Sequence, residues 1–351
     1  MVQRACKLSP VFLLCLLNAV AALAIPARAQ EAPRDEENEP LVLDRIIPMP
    51  SVEGRVDHMT VDTKSGRIFA AVYGNDSVEV LDVHRAREVS VIRGGLDEPQ
   101  GVAFLSEETR IAVASDTGGT VTFFNAATYA RLGAVSFGDD ADQIRYDEAA
   151  HRLYVGYGDG AESAIGMIDT QTWQKLPQTY QLDAHPESFQ VDEAGQRIFA
   201  NIASKGEVAV IHLDTGKIDT WKLPGAGENF PMALDVQDHR IFVASRRPAR
   251  MMVLDMDTGK LIASLPGADD TDDMWYDSTR RRIYEPSGEG FIFVYQQVTP
   301  DLYDRVAKIP TAIGARTSAY FGQVGKHNDL YLAVPPRAGR GAEMWVYETR
   351  D

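Results

Sequence analysis

A short motif, one charged residue leading an apolar strand, returns seven times and constrains the fold of this chain more than any other feature. It reads Arg67-Ile-Phe, Arg110-Ile-Ala, Arg152-Leu-Tyr, Arg197-Ile-Phe, Arg240-Ile-Phe, Arg282-Ile-Tyr and, with aspartate in the lead, Asp329-Leu-Tyr. The successive spacings are 43, 42, 45, 43, 42 and 47 residues. A period in the forties with several short strands per unit describes four-stranded blades set around an axis, each burying its faces against its neighbours. The expected fold class is therefore all-β, a seven-bladed β-propeller.

Each unit repeats one order of parts. A first strand ends at a polar turn, with Asp62, Asp147, Asp192, Asp235 and Asp277 in five of the units. The motif strand follows, then a third strand of alternating apolar residues, as at 77–83, 120–126 and 207–213. Asp214-Thr-Gly-Lys217 and Asp257-Thr-Gly-Lys260 read as hairpin turns in which glycine takes the positive φ. A more polar fourth strand leads on. The seventh unit reaches Asp351 after three strands, whereas Leu43-Asp-Arg-Ile-Ile-Pro-Met-Pro50 matches the outer strand Tyr303-Asp-Arg-Val-Ala-Lys-Ile-Pro310 of the sixth. An N-terminal strand should therefore complete the last blade and close the ring, removing the open sheet edges that invite aggregation.

Residues 1–29 read as an export signal: Arg4 and Lys7, an apolar run from Val11 to Ala24, then Ala27-Arg28-Ala29 before a cut ahead of Gln30. The run is too short for a membrane span. Cleavage would remove both cysteines, Cys6 and Cys15, and leave a mature chain with no disulfide, thiolate metal site or catalytic thiol. Residues 30–40, QEAPRDEENEP, are charged and nearly free of apolar groups, the composition of a disordered tether. The propeller should span 41–351 and lie in the periplasm or outside the cell. The formal charge of −16 argues against nucleic acid, which needs a basic face, and against anionic membrane surfaces.

The stretch from Arg67 to Gly95, RIFAAVYGNDSVEVLDVHRAREVSVIRGG, with EPQGVAF at 98–104, resembles the YVTN-type repeat of periplasmic YncE-like β-propellers. Similar blades recur at 152–169, 197–213 and 240–255, so the resemblance spans most of 41–351. No blade reads Y-V-T-N literally, and the third-strand aspartate becomes Asn125, His212, Gln296 and Glu348 in four blades. The resemblance implies a WD40-like ring and a binding module, and propellers serve unrelated tasks.

In such a ring, the loops leading into the first strands open on one face together with the loops joining second to third strands. Those loops carry His58, Gln100, Asn229, Arg246, Arg247 and Arg337 as candidate ligand-binding residues, and Asp142, Asp272 and Asp273 as candidate metal ligands. Clustered carboxylates suit a hard divalent cation, Ca or Mg, through oxygen ligands. Arginine forks suit a small anionic ligand. His58 in the first blade and His185 in the fourth stand on opposite sides of the ring, which argues against one metal shared by both. The first functional expectation is an exported binding or scaffold protein that takes a small ligand or an exported protein in its central funnel. The resemblance also implies an alternative, a lactonase- or cyclase-type enzyme with His185 as base, Glu187 as acid and Arg316 as anion clamp. A further alternative, a metal-dependent sugar-lactone hydrolase, comes from the likeness of Asp142, Glu187, Asn229 and Asp272 to the oxygen ligands of six-bladed lactonases. Gly156-Tyr-Gly-Asp-Gly160 opens no helix and reads as a turn.

Overall fold

The computed structural model describes residues 39–351. The expected signal at 1–29 and most of the expected tether lie outside the described residues. Pro40, at the tether's end, is buried, and its carbonyl accepts from the Arg350 amide at 3.0 Å.

Seven antiparallel sheets make up the ring; six run from the innermost strand outward in sequence order, and the seventh takes its outermost strand from the N-terminal end of the described residues. The innermost strands are Val56–Asp62, Pro99–Leu105, Ala141–Asp147, Phe189–Asp192, Met232–Asp235, Trp275–Asp277 and Ser318–Val324. In blade three the outer position is split between Gln174–Lys175 and Tyr180–Gln181, both paired with the third strand. The N-terminal strand Leu41–Met49 lies antiparallel to the final strand Ala342–Thr349, from Leu41 opposite Thr349 to Met49 opposite Ala342. This closes the ring as the repeat arithmetic requires.

The core is divided among the blade interfaces. Phe69, Val80 and Ile92 of blade one pack on Val102, Ile111 and Phe124 of blade two. The interface of blades seven and one takes Ile47 and Met49 from the closing strand, and that of blades six and seven takes Leu41.

Two recurrent polar residues have identifiable work. The aspartate ending a first strand accepts from amides two or three residues on, as Asp62 does from Lys64 and Ser65, and Asp277 from Thr279 and Arg280. Asn125, standing where other blades carry aspartate, makes the same turn with Ala127 and Thr128 that Asp82 makes with His84 and Arg85. Five of the six motif arginines reach into the next blade. Arg67 donates to the Ala126 carbonyl at 3.3 Å, Arg110 to Thr170 at 3.5 Å, Arg197 to Met256 at 3.0 Å and Arg240 to Pro300 at 3.0 Å. Arg282 donates to the Arg350 carbonyl of the closing blade. In blade seven the motif aspartate, Asp329, instead accepts from Arg45 of the N-terminal strand at 2.8 Å.

Candidate functional site

The strand starts nearest the axis are where the ladders break. Pairing shifts between Val56 and Met59, between Pro99 and Val102, and between Ala141 and Ile144. The irregular residues are Asp57-His58, Gln100-Gly101 and Asp142-Gln143, and a bulge of this kind re-aims side chains. In blades four and six the inner strands begin only at Phe189 and Trp275, which leaves His185, Glu187, Asp272 and Asp273 on the loops before them. Gly101 permits a close crossing, because a Cβ there would stand 2.1 Å from the Asp142 carbonyl oxygen.

These groups surround a funnel cavity of about 150 Å³ lined by Arg55, Asp57, His58, Gln100, Asp142, Gln143, Glu187, Ser188, Phe230, Arg246, Asp272 and Arg316. Asp142 is its centre of charge. One carboxylate oxygen lies 3.5 Å from His185 Nε2 and the other 3.8 Å from His58 Nε2. The opposite-sides reading of the two histidines is therefore corrected: seven inner strands converge so tightly that blades one and four meet across a single carboxylate. His58 also has Gln143 at 2.6 Å, Asp57 at 3.5 Å and Asp273 at 3.8 Å. His185 Nδ1 lies 2.7 Å from the Gly158 carbonyl and 3.3 Å from Asp140. A carbonyl only accepts, so Nδ1 carries a hydrogen and Nε2 faces Asp142. The glycine loop read as a plain turn thus sets the orientation of this imidazole.

Burial and charge pull the titrations apart. Burial pushes Glu187 up to about 7, and Asp142 beside it adds to the shift despite His185. Burial likewise raises Asp273 to about 7, against His58 and the Ser318 amide, and Asp140 to about 6, against His185. For His185 burial works the other way and is overcome by Asp142 and Asp140, which carry it up to about 10. Burial also opposes the charged form of Asp142, but His185 and His58 win and hold its carboxyl below the usual range. Beneath them lies Arg145, which burial lowers to about 10 against the attraction of Asp273 and Asp142.

The remaining candidates divide between cavity and scaffold. Gln100 lines the cavity and donates to Asp140 at 3.3 Å. Arg246 lies over the Phe230 ring at 3.9 Å, donates to the Thr271 carbonyl at 3.0 Å and is bound to Asp272. Arg316 is bound to both Asp270 and Asp272. Asp272 is thus held by two arginines and is placed as their counter-charge rather than as a cation ligand. Asp273 accepts from the Ser318 amide at 2.7 Å, which takes up one of its oxygens.

Three expectations need correction. Asn229 is 0% exposed and donates to Asn201 Oδ1 and the Glu207 carbonyl, so it braces the scaffold and lines no funnel. Arg337 pairs with Glu343 at 2.5 Å and lies over Trp345, held on its own blade by local partners. Arg247 is exposed and pairs with Glu228 at 3.0 Å, away from the cavity wall. Conversely, Arg55 and Gln143, which stand in the funnel-facing strand entries but are not among the candidate residues, line the cavity, and Arg145 interacts with the charges of Asp142 and Asp273. Gln143 and Arg145 share the innermost strand with Asp142, and that position was the available signal.

A second cavity of about 280 Å³ adjoins the first between blades seven and one. It is mostly apolar and is lined by Gly54, Val56, Gly314, Thr317, Ala333, Pro335 and Pro336, with Arg55 and Arg316 shared by both. Among the described residues, no helix is long and apolar enough to cross a membrane.

No model of a known protein family matches this chain, and no curated protein matches it in sequence. Solved structures match in fold. A structure of Kuenenia stuttgartiensis hydrazine synthase is similar at a TM-score of 0.70 and 16% identity, covering 79% of this chain and 92% of that one. The WD40 repeats of RRP9 are similar at 0.72 and 11% identity, covering 88% of this chain and all of theirs. A chain of the mitotic checkpoint complex is similar at 0.74 and 12% identity, over 96% of this chain and all of that one. At such identities the likeness shows a seven-bladed, WD40-like β-propeller fold.

Proposed function

We propose that this protein is an exported, YncE-like binding module whose funnel takes a small ligand with an anionic head and an apolar body. The observation that carries the reading is the sharing of Arg55 and Arg316 between the polar funnel cavity and the apolar slot beside it. Arg55 meets Asp57 through Nη2, and Arg316 meets its two aspartates through Nη1 and Nε, so each uses only part of its fork. A ligand carboxylate fits the remaining donors, while Val56, Ala333, Pro335 and Pro336 offer an apolar wall. Export rests on the leader reading of residues 1–29, and secretion of a reporter fused behind that segment tests it.

The binding reading is tested by titrating a small aryl or alkyl carboxylate into wild type and Arg316→Ala. The reading predicts roughly a tenfold or greater loss in the variant, the size of one charge-assisted hydrogen bond. Equal affinity overturns it. The alternative of lactone chemistry draws on one observation, that Glu187, Arg316 and the His185–Asp142 pair meet at one cavity. Lactone turnover abolished by Glu187→Ala in a folded protein would favour it, and no turnover by wild type would remove it.

A further inference from the structure

We propose that Asp142, His185 and Glu187 form an open three-ligand site for a divalent first-row transition ion, with Zn2+ as its probe. One donor atom from each residue, taken together, lie within 4.8 Å of one another. In a tetrahedral centre with bonds of about 2.1 Å, donors stand about 3.4 Å apart. His185 Nε2 and Asp142 already stand 3.5 Å apart, and a Glu187 oxygen lies within 4.8 Å of a donor atom on each.

Two further observations point to a ligand. The Nδ1–H of His185 is held by the Gly158 carbonyl at 2.7 Å, which aims the other nitrogen at the carboxylates. Metal-binding imidazoles are oriented in this way by a backbone or carboxylate acceptor on the far nitrogen. Independently, Asp142 is 7% exposed, and its Oδ1 is buried without a hydrogen-bond partner, with His58 Nε2 at 3.8 Å as a charge beyond hydrogen-bond reach. A buried carboxylate oxygen without a hydrogen bond is costly, and a bound cation would satisfy it more fully.

The donor set selects the ion. One imidazole nitrogen with two carboxylates suits Zn2+ and its first-row neighbours, whereas Ca2+ and Mg2+ want six or more oxygens. The site is built from the loop before blade four and the bulged inner strand of blade three, so the ring must be folded for it to exist. It opens on the funnel cavity, which leaves a fourth position for water or for an atom of a bound molecule. The inference stands apart from the anionic-ligand reading, because the ion needs neither Arg55 nor Arg316.

The test is calorimetric titration of Zn2+ into full-length protein stripped with a chelator and dialysed, with Ca2+ and Mg2+ as comparisons. The expected result is one equivalent of Zn2+ per chain. His185→Ala and Glu187→Gln should each weaken binding by more than the about 10–100-fold that loss of an orienting partner costs. His212→Ala, which removes the surface pair of His212 with Asp219, should leave the affinity unchanged. No Zn2+ uptake by wild type, preference for Ca2+, or affinity untouched in both ligand variants overturns the proposal. If the variants fail to fold, the visible spectrum of Co2+-loaded wild type decides. Four-coordinate bands support the site, and a spectrum like that of the hydrated ion contradicts it.

Discussion

His185 Nδ1 lies 2.7 Å from the carbonyl oxygen of Gly158, a bond from the loop before blade four to a hairpin of blade three. That bond turns a solvent-reachable imidazole into a directed group. Gly158 has φ +84°, and a Cβ there would stand 2.4 Å from the Glu162 carbonyl, so the acceptor is fixed by a residue that tolerates no side chain.

Gly158→Ala should therefore disturb the funnel without touching it. The expected cost is about 1 kcal/mol or more from backbone strain, with Zn2+ affinity falling about tenfold as His185 loses its orientation. Urea unfolding and metal titration of one preparation check both. Retained affinity in a destabilised protein would show that the Gly158 bond does not aim the ring.

The arginine of the repeat should matter more than its position near the surface suggests. Arg197 spans Asp192 at 3.0 Å within its blade and the Met256 carbonyl at 3.0 Å in the next, and Asp192 is 3% exposed. Arg197→Ala strands that carboxylate, at a cost of about 3 kcal/mol. Arg247→Ala removes an exposed cation from a half-exposed Glu228 and should cost less than about 1 kcal/mol. Denaturant midpoints at constant slope measure the contrast, and equal losses would contradict it.

Glu285 predicts a pH dependence independent of the funnel. Burial raises it to about 7, against donation from Tyr295 at 2.6 Å and the Ala268 amide at 3.2 Å. Its folded value lies above the unfolded value of about 4.3, so the folded state holds the proton more tightly. The stabilisation is complete below about pH 4 and is lost as pH rises through about 7, roughly 3 kcal/mol in all. Glu285→Gln is neutral throughout and should flatten the fall in stability between about pH 5 and about pH 8. An unchanged fall would place the titration elsewhere.

Ring closure can be tested by length. A chain starting at Glu39 keeps the strand paired with Ala342–Thr349, whereas one starting at Pro50 lacks Leu41, Ile47 and Met49, all fully buried. The shorter chain should lose cooperative unfolding and aggregate through its exposed edge. A monodisperse, equally stable product would contradict closure by that strand.

The architecture was legible because its signals are local and repeated: the period, the turn aspartates, and a strand at 43–50 matching one at 303–310. Even so, the arginine marking the period conceals its function, since Arg197 and Met256 lie 59 residues apart in sequence and in different blades. The funnel was legible as a set of loops but not as a set of distances. Blade order places His58 and His185 far apart, whereas the bulged inner strands of blades one and three and the loop before blade four bring both beside Asp142. Asn229 precedes a first strand and Arg337 joins a second strand to a third, both among the loops expected to open on the funnel face, but partners at Asn201 and Glu343 capture them first. Competition between a nearby partner and the axis depends on side-chain geometry that spacing does not encode.

The central claim, a funnel that recognises an anionic head beside an apolar body, is tested most directly by thermal shift with matched ligand pairs. Each pair is a carboxylate and its uncharged alcohol, applied to wild type, Arg55→Ala and Arg316→Ala. The account predicts that carboxylates raise the wild-type melting temperature while their alcohols do not, and that either variant loses the difference. Equal stabilisation by both members of a pair, or a carboxylate shift that survives in both variants, would contradict it.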